Sequence, residues 1–257
     1  MLQIVLGMTA ERIAPAFLMT ASALGQRLAR AKARLKAAGA RFEVPEGREL
    51  AARLPQVMEA VLAAAALGWE GVPGSDPGRA DLASEALHLA EVLVSLLPDE
   101  PEPRGLLALI LYVQARAPAR RTVYTPLSEQ DPNLWDHSMI HAADRQLGAA
   151  SNAGRLGRFQ LEAAIQAVHC ARWPQGATDW AALATLHDAL QRMRPTTGGA
   201  VAAAAVAMER EGAAAALAAL DLLPGADAFQ PAWALRAEAE RRAGNLPAAR
   251  AALTQAL

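Results

Sequence analysis

Apolar and polar residues alternate along the chain with the period of an α-helix. The clearest stripe lies between residues 20 and 36, where apolar side chains recur at intervals of four, three and four residues: Leu24, Leu28, Ala31 and Leu35. Such spacing places them on one helical face. Comparable segments, separated by breaks that contain glycine or proline, predict further helices at about 48–67, 81–97, 101–116, 133–152, 158–172, 179–193, 200–211, 212–222, 232–243 and 247–257. Short connections between them favour antiparallel helix pairs in an all-α fold.

The last helix pair has the spacing of a tetratricopeptide repeat. In "AWALRAEAERRAGNLPAARAALTQAL", Trp233 is followed by small residues where the two helices of such a repeat touch or turn: Ala237, Gly244, Ala249 and Ala256. An earlier pair, about 195–223, keeps Gly212 at its turn. We therefore expect a helical-repeat stack in which neighbouring pairs bury each other's faces.

Composition agrees with a helical protein. The chain has 257 residues, of which 53% are hydrophobic and only 4% aromatic, and its dominant residues, alanine and leucine, are strong helix formers. No apolar run reaches the roughly 20 residues that cross a bilayer, and the first residues lack the basic start and apolar centre of a signal peptide. The single cysteine, Cys170, suits a reducing compartment. These features predict a cytoplasmic protein with no membrane partner.

Charge is distributed unevenly. The formal net charge is −1, yet every charged residue from Arg12 to Arg41 is positive. In the helix at 20–36, three arginines lie along one side of the apolar stripe and two lysines along the other: Arg27, Arg30, Arg34, Lys32 and Lys36. A basic segment on an otherwise acidic chain favours a polyanionic partner.

A shorter predicted helix, Met8–Met19, precedes the basic one, with Thr9 as its candidate cap. Thr20 or Ser22 can cap the basic helix, and Gly39 stands near its end. A short helix, a tight turn and a basic second helix are typical of a helix-turn-helix, whose second helix enters the major groove of DNA. The alternative is an ordinary helix hairpin whose arginines keep it soluble.

The segment from Ile13 to Pro45, "IAPAFLMTASALGQRLARAKARLKAAGARFEVP", resembles the second half of region 4 of bacterial RNA polymerase sigma factors, specifically extracytoplasmic-function sigma factors with a long C-terminal helical extension. The match rests on Leu24, on the basic run that begins at Arg27 and on the exit "RFEVP". Segments such as "LSEQDPNLWDHSMI" and "GRFQLEAAIQAVHCAR" resemble that extension. The resemblance covers essentially the whole chain.

The resemblance implies a non-enzymatic transcription initiation factor. Its helix-turn-helix would contact the −35 promoter element, and its partners would be promoter DNA and the RNA polymerase core. The extension would bind a protein partner or pack on the DNA-binding part. The residues implied to bind DNA are Ser22 and Gln26 near base edges, with Arg27, Arg30, Lys32 and Arg34 on phosphates. The polymerase-binding region of such factors would lie upstream of Met1, so the chain is expected to be a fragment.

The predicted parts are a partial region 4 helix-turn-helix at 1–40, a linker at 41–47, a helical extension at 48–177 and tetratricopeptide-like repeats at 178–257. Three features depart from the family pattern. Pro15 falls inside the first predicted helix, Gly25 stands where a long polar side chain is common, and "AAAALGW" at 63–69 replaces an aromatic-rich segment. Pro15, Gly25 and the absent upstream region favour the alternative function, a repeat scaffold for protein–protein interaction that does not bind DNA.

Three other groups of residues can each be interpreted either as a chemical site or as a structural feature. His137, His141 and Asp144 share a helical face, where they could bind a metal or form a polar cluster on the surface or between helices. The loop acids Glu129, Asp131 and Asp136 could act as acid and base, but the pattern is that of a cap before a helix.

Cys170, beside His169, could be a nucleophile, but it lies on an apolar face and is expected to be buried. The chain has no phosphate-binding loop or dinucleotide fingerprint. The sequence therefore predicts no catalytic residue, no metal and no cofactor.

Overall fold

The computed structural model describes Gln3 and residues 8–14, 19–39, 48–69, 77–120 and 125–257. These residues form α-helices and short 3₁₀ turns and include no strand, which confirms the predicted all-α, helical-repeat fold. Contacts divide the chain into two units, Met1–Ala153 and Gly154–Leu257. The boundaries inferred from the sequence, at 40, 47 and 177, stay predictions.

Unit 1 contains a helical body preceded by a short helix and a basic helix. Its helices are α1 (Ala10–Ile13), α2 (Ala21–Ala37), α3 (Arg48–Trp69), α4 (Pro77–Leu96), α5 (Pro101–Ala115) and α6 (His137–Asn152). Helix α3 packs against α4 and α5, and α5 packs against α6. Because α5 lies between these neighbours, most of its side chains are buried, and those of Leu106, Ile110 and Tyr112 have no exposed surface.

Helix α3 passes the length and hydropathy test for a membrane span. Among the described residues, the segment Glu49–Gly68, with a mean hydropathy of 1.4, is long and apolar enough to cross a bilayer. The sequence was expected to contain no apolar run of this length; Arg53 and Glu59 interrupt the segment, but its mean hydropathy is still high. In the structure 28% of this apolar segment is buried. Val61, Ala64 and Ala65, in its second half, are fully buried, and α3 contacts α4 and α5, whereas most residues of its first half are exposed.

The crossing of α3 and α4 is very close at Gly68. A Cβ atom added to Gly68 would lie 2.7 Å from the Cβ of Ala83 and 2.9 Å from its Cα. The carbonyl of Ala83 also accepts a hydrogen bond of 2.8 Å from Nε2 of Gln114 on α5. Three helices therefore meet at this point, and the absence of a side chain at Gly68 is what lets them do so.

Unit 2 is a chain of consecutively packed helices. They are α7 (Arg158–Cys170), α8 (Arg172–Gln175), α9 (Trp180–Met193), α10 (Thr197–Glu211), α11 (Ala213–Asp221), α12 (Gln230–Arg242) and α13 (Leu246–Ala256), with a 3₁₀ turn at Ala226–Ala228. From α9 onward each helix packs against the next, and α7 packs against α9. This order agrees with the helix pairs expected from the sequence.

Small residues join α12 and α13, as predicted. Ala237, Ala249 and Ala256 are buried, and Gly244 makes the turn between the two helices with a φ of 81°, a conformation that favours glycine. The side of α13 next to these alanines is different. Leu246 and Leu253 lie seven residues apart on this face and are 56% and 51% exposed.

Candidate nucleic-acid interface

Threonines begin both N-terminal helices. The hydroxyl of Thr9 accepts a hydrogen bond from the backbone N–H of Arg12 at 3.4 Å, and that of Thr20 accepts one from the N–H of Ala23 at 3.2 Å. Each satisfies a donor that has no partner inside its helix. The predicted caps at Thr9 and Thr20 are confirmed, whereas Ser22, the alternative cap, is the second residue of α2. Pro15, expected to disturb the first helix, lies outside the described residues.

Helix α2 is docked over its first half. Ile13 of α1 and Leu24 of α2 are buried, at 3% and 8% exposure, and Leu28 is partly buried. The second half of the apolar stripe is not docked, because Ala31 and Leu35 are exposed. Helix α1, which packs against α2, has four residues and covers only about one helical turn.

All six predicted DNA-binding residues are exposed on α2. With 3.6 residues per turn, five of them fall within an arc of about 140° beside the leucine stripe: Ser22, Gln26, Arg27, Arg30 and Arg34. Lys32 lies across the stripe with Lys36. The structure therefore brings five of the predicted residues to one face and places Lys32 on the other.

The cations of α2 have no acidic partners in the part of the chain that the structure describes. The guanidinium of Arg27 donates to the sulfur of Met19 at 3.5 Å. The other four, from Arg30 to Lys36, form no ion pair with a described carboxylate. Helix α2 contains no acidic residue, so this 17-residue rod of about 25 Å carries positive charge only. Arg34 and Lys36 in the last turn also suit the negative end of the helix dipole.

Gly25 departs from the family pattern without a packing reason. It lies inside α2, and a Cβ atom added there would meet no atom within 4 Å. Glycine costs a helix interior roughly 0.5–1 kcal/mol relative to alanine. The structure therefore leaves room for the longer side chain that the resemblance implies.

The face of α6 that carries His137, His141 and Asp144 is linked to α5 by a hydrogen bond. The phenol of Tyr112 on α5 donates a hydrogen bond of 2.5 Å to Asp144, which also lies 3.8 Å from Nδ1 of His141. Nε2 of His137 donates to the carbonyl of Pro132 at 3.0 Å. The described residues include no group of three metal-binding side chains. The interpretation of these residues as a polar cluster between helices accounts for the contacts seen.

The loop acids at 131 and 136 are caps. Asp131 accepts a hydrogen bond from the backbone N–H of Asn133 at 2.9 Å, and Asp136 accepts one from the N–H of Met139 at 3.0 Å. Helix α6 accordingly begins at His137 rather than at Asn133. Hydrogen bonds from Ser138 and from this N–H lower the pKa of Asp136, which makes it a poor general acid. Cys170 is 1% exposed, as expected.

Sequence reasoning missed a cleft in unit 2. It lies between the end of α11 and the start of α12 and has a volume of about 340 Å³. Trp233 and Arg236, which line it, are three residues apart and so share a helical face. That spacing is visible in the sequence, but the repeat pattern in which Trp233 was placed does not include Arg236.

Comparisons with known proteins give relatives whose descriptions state no activity. Residues 53–151, which run from α3 to α6, match DUF6596, a family of unknown function. The chain is also 37% identical over 225 residues to an uncharacterized protein of Rhizobium meliloti (strain 1021), an alignment that covers 86% of this chain and 53% of that protein. The chain thus spans about half the length of this relative. No solved structure matches the present chain.

Proposed function

We propose that α1 and α2 form the DNA-binding helix-turn-helix of a cytoplasmic, sigma-factor-like transcription initiation factor. Helix α2 would enter the major groove of the −35 promoter element, and the RNA polymerase core would be the protein partner. The observation that carries the proposal is the charge of α2. Its five cations lie on an exposed helix without a carboxylate partner among the described residues, as a surface that binds phosphates requires.

The position of each side chain suggests its role. In a helix-turn-helix, residues near the start of the second helix contact base edges. Ser22 and Gln26 lie one turn apart in the first half of α2 and fit this role. Arg27, Arg30 and Arg34 flank them and would contact phosphates on one side of the groove, while Lys32 would contact the opposite side.

The test is the double variant Arg27→Ala/Arg30→Ala. Binding to a 30-base-pair duplex is measured by fluorescence anisotropy over a range of salt concentrations. Each phosphate contact contributes about 0.9 to the slope of log affinity against log salt. We therefore expect the variant to bind at least tenfold more weakly at low salt and to lower this slope by about two.

The matched control is Arg192→Ala/Arg210→Ala, which removes two exposed arginines from unit 2. It should bind the duplex like the parent protein. Circular dichroism should be the same for all three proteins, since the substituted side chains are exposed. Equal affinity and equal salt slope in the two double variants would refute the DNA-binding proposal.

The exposed end of the apolar stripe favours a second candidate function. Leu35 is 55% exposed, so the second half of α2 offers an apolar surface beside its cations, and a protein could cover both. In this case α2 would be part of a scaffold. Leu35→Gln would then weaken binding to purified RNA polymerase core, and the arginine double variant would leave duplex binding unchanged.

A further inference from the structure

The cleft in unit 2 has an apolar floor and a charged rim. The floor is formed by aliphatic residues of α11, of the turn that follows it and of α12, and the rim by two acids, a tryptophan and an arginine: Leu220, Leu223, Ala226 and Ala232, then Asp221, Asp227, Trp233 and Arg236. Its volume of about 340 Å³ is within the range of small ligand sites. It is open on one side, so a side chain can enter from outside.

Hydrogen bonds and an ion pair hold the rim in place. Nε1 of Trp233 donates to the carbonyl of Asp227 at 2.8 Å, which fixes the indole ring against the turn. Nη2 of Arg236 donates to Asp221 at 2.5 Å, and its guanidinium lies 5.9 Å from the centre of the Trp233 ring, in the range of a cation–π contact. These contacts set the shape of the cleft before anything binds, which lowers the entropy cost of binding.

The rim carries one uncompensated negative charge. Asp221 neutralises Arg236, so this arginine is already engaged and is a poor anchor for an anion. The exposed carboxylate of Asp227 makes no hydrogen bond or ion pair with the described residues; only its carbonyl is used. Two carboxylates and one guanidinium therefore leave a site that favours a cation beside an apolar group.

We propose that this cleft binds a protein segment in which a leucine-like side chain is adjacent to a lysine or arginine. The aliphatic side chain fills the floor formed by Leu220 and Leu223, and the cation pairs with Asp227. The acidic rim repels phosphate, so this site is chemically unlike the basic surface of α2. The proposal does not depend on DNA binding by α2.

The test uses the full chain and the synthetic peptide AALKAALKAALK, acetylated and amidated. Its dissociation constant is measured from the indole N–H signal of Trp233 in ¹H–¹⁵N spectra, assigned with Trp233→Phe. Replacing the peptide's leucines by alanine should weaken binding more than tenfold, because leucine burial contributes about 1.5–3 kcal/mol. Replacing its lysines by glutamate should weaken binding at least fivefold through like-charge repulsion.

Variants of the protein locate the site. Asp227→Asn should weaken binding about two- to fivefold, as expected for an exposed ion pair. Ala226→Leu should weaken it further by filling the floor. Asp188→Asn, which removes an exposed acid from α9, should have no effect. Because Asp227 is exposed, its substitution tests the proposal even if Ala226→Leu fails to fold.

Three results would overturn the proposal: an unchanged Trp233 signal, equal binding of the lysine and glutamate peptides, or equal affinities of Asp227→Asn and Asp188→Asn. Failure here is distinct from failure of the DNA-binding proposal. Asp227→Asn should bind the 30-base-pair duplex like the parent protein, and Arg27→Ala/Arg30→Ala should retain its affinity for the peptide.

Discussion

Single residues determine which part of the charged helix α2 is held in position. Thr20 begins the helix with a capping hydrogen bond, Leu24 is buried in its first turns, and α2 packs against α1. Arg27 is oriented by its contact with Met19. The first half of the helix is therefore positioned, whereas the exposed second half contributes charge without being packed at Leu35.

Gly25 provides a prediction at this scale. Gly25→Ala and Gly25→Lys should both stabilise α2, by roughly 0.5–1 kcal/mol, because each removes the entropy cost of glycine and the position has free space. Thermal unfolding checks this effect. Only the lysine variant should also bind the 30-base-pair duplex more tightly, by a few fold, since it adds a cation. Equal duplex affinities in the two variants would contradict a phosphate-binding role for this surface.

At the scale of elements, the ends of helices and the helix pairs could be predicted from the sequence. What surrounds each helix could not. Capping residues and glycine turns act locally, so Thr9, Thr20 and Gly244 were recognisable in the sequence. Burial is set by tertiary packing, so the spacing of the apolar stripe alone does not tell that Leu24 is buried and Leu35 exposed. The cleft beside Trp233 depends on where α11 ends relative to α12, and no periodicity in the sequence reports that distance.

The crossing of α3 and α4 gives a prediction for an element pair. Gly68→Ala should lower the free energy of unfolding by about 1–3 kcal/mol, as overpacking usually does, because its Cβ would overlap Ala83. Gly148→Ala is the matched control. Gly148 lies within α6 with no atom within 4 Å of an added Cβ, so alanine there should stabilise the protein slightly. Denaturant unfolding of the two variants should give shifts of opposite sign.

At the scale of the whole molecule, the dependence of stability on pH tests whether His187 is buried. This side chain of α9 is 8% exposed, its Nδ1 has no hydrogen-bond partner among the described residues, and burial lowers its pKa below 6.5. At pH 7.5 the group is mostly uncharged in both the folded and the unfolded chain. Below pH 6.5 the unfolded chain takes up the proton first, so the free energy of unfolding falls.

The measurement is urea unfolding between pH 7.5 and 5.5, followed by circular dichroism. His187→Leu should remove part of the fall in stability that the parent protein shows below pH 6.5. His88→Gln, a substitution at an exposed position of α4, should keep the whole fall. Identical pH profiles for parent and His187→Leu would mean that this histidine is solvated in solution.

The exposed leucines of α13 form an apolar surface of the kind that a further helix pair covers in a repeat stack. Helical-repeat proteins lengthen when a new pair of helices covers the outer face of the pair before it. Leu246 and Leu253 already present such a face, so a grafted helix pair could be accommodated without repacking the interior between α12 and α13. In this architecture, recombination can lengthen the stack and leave the existing core intact.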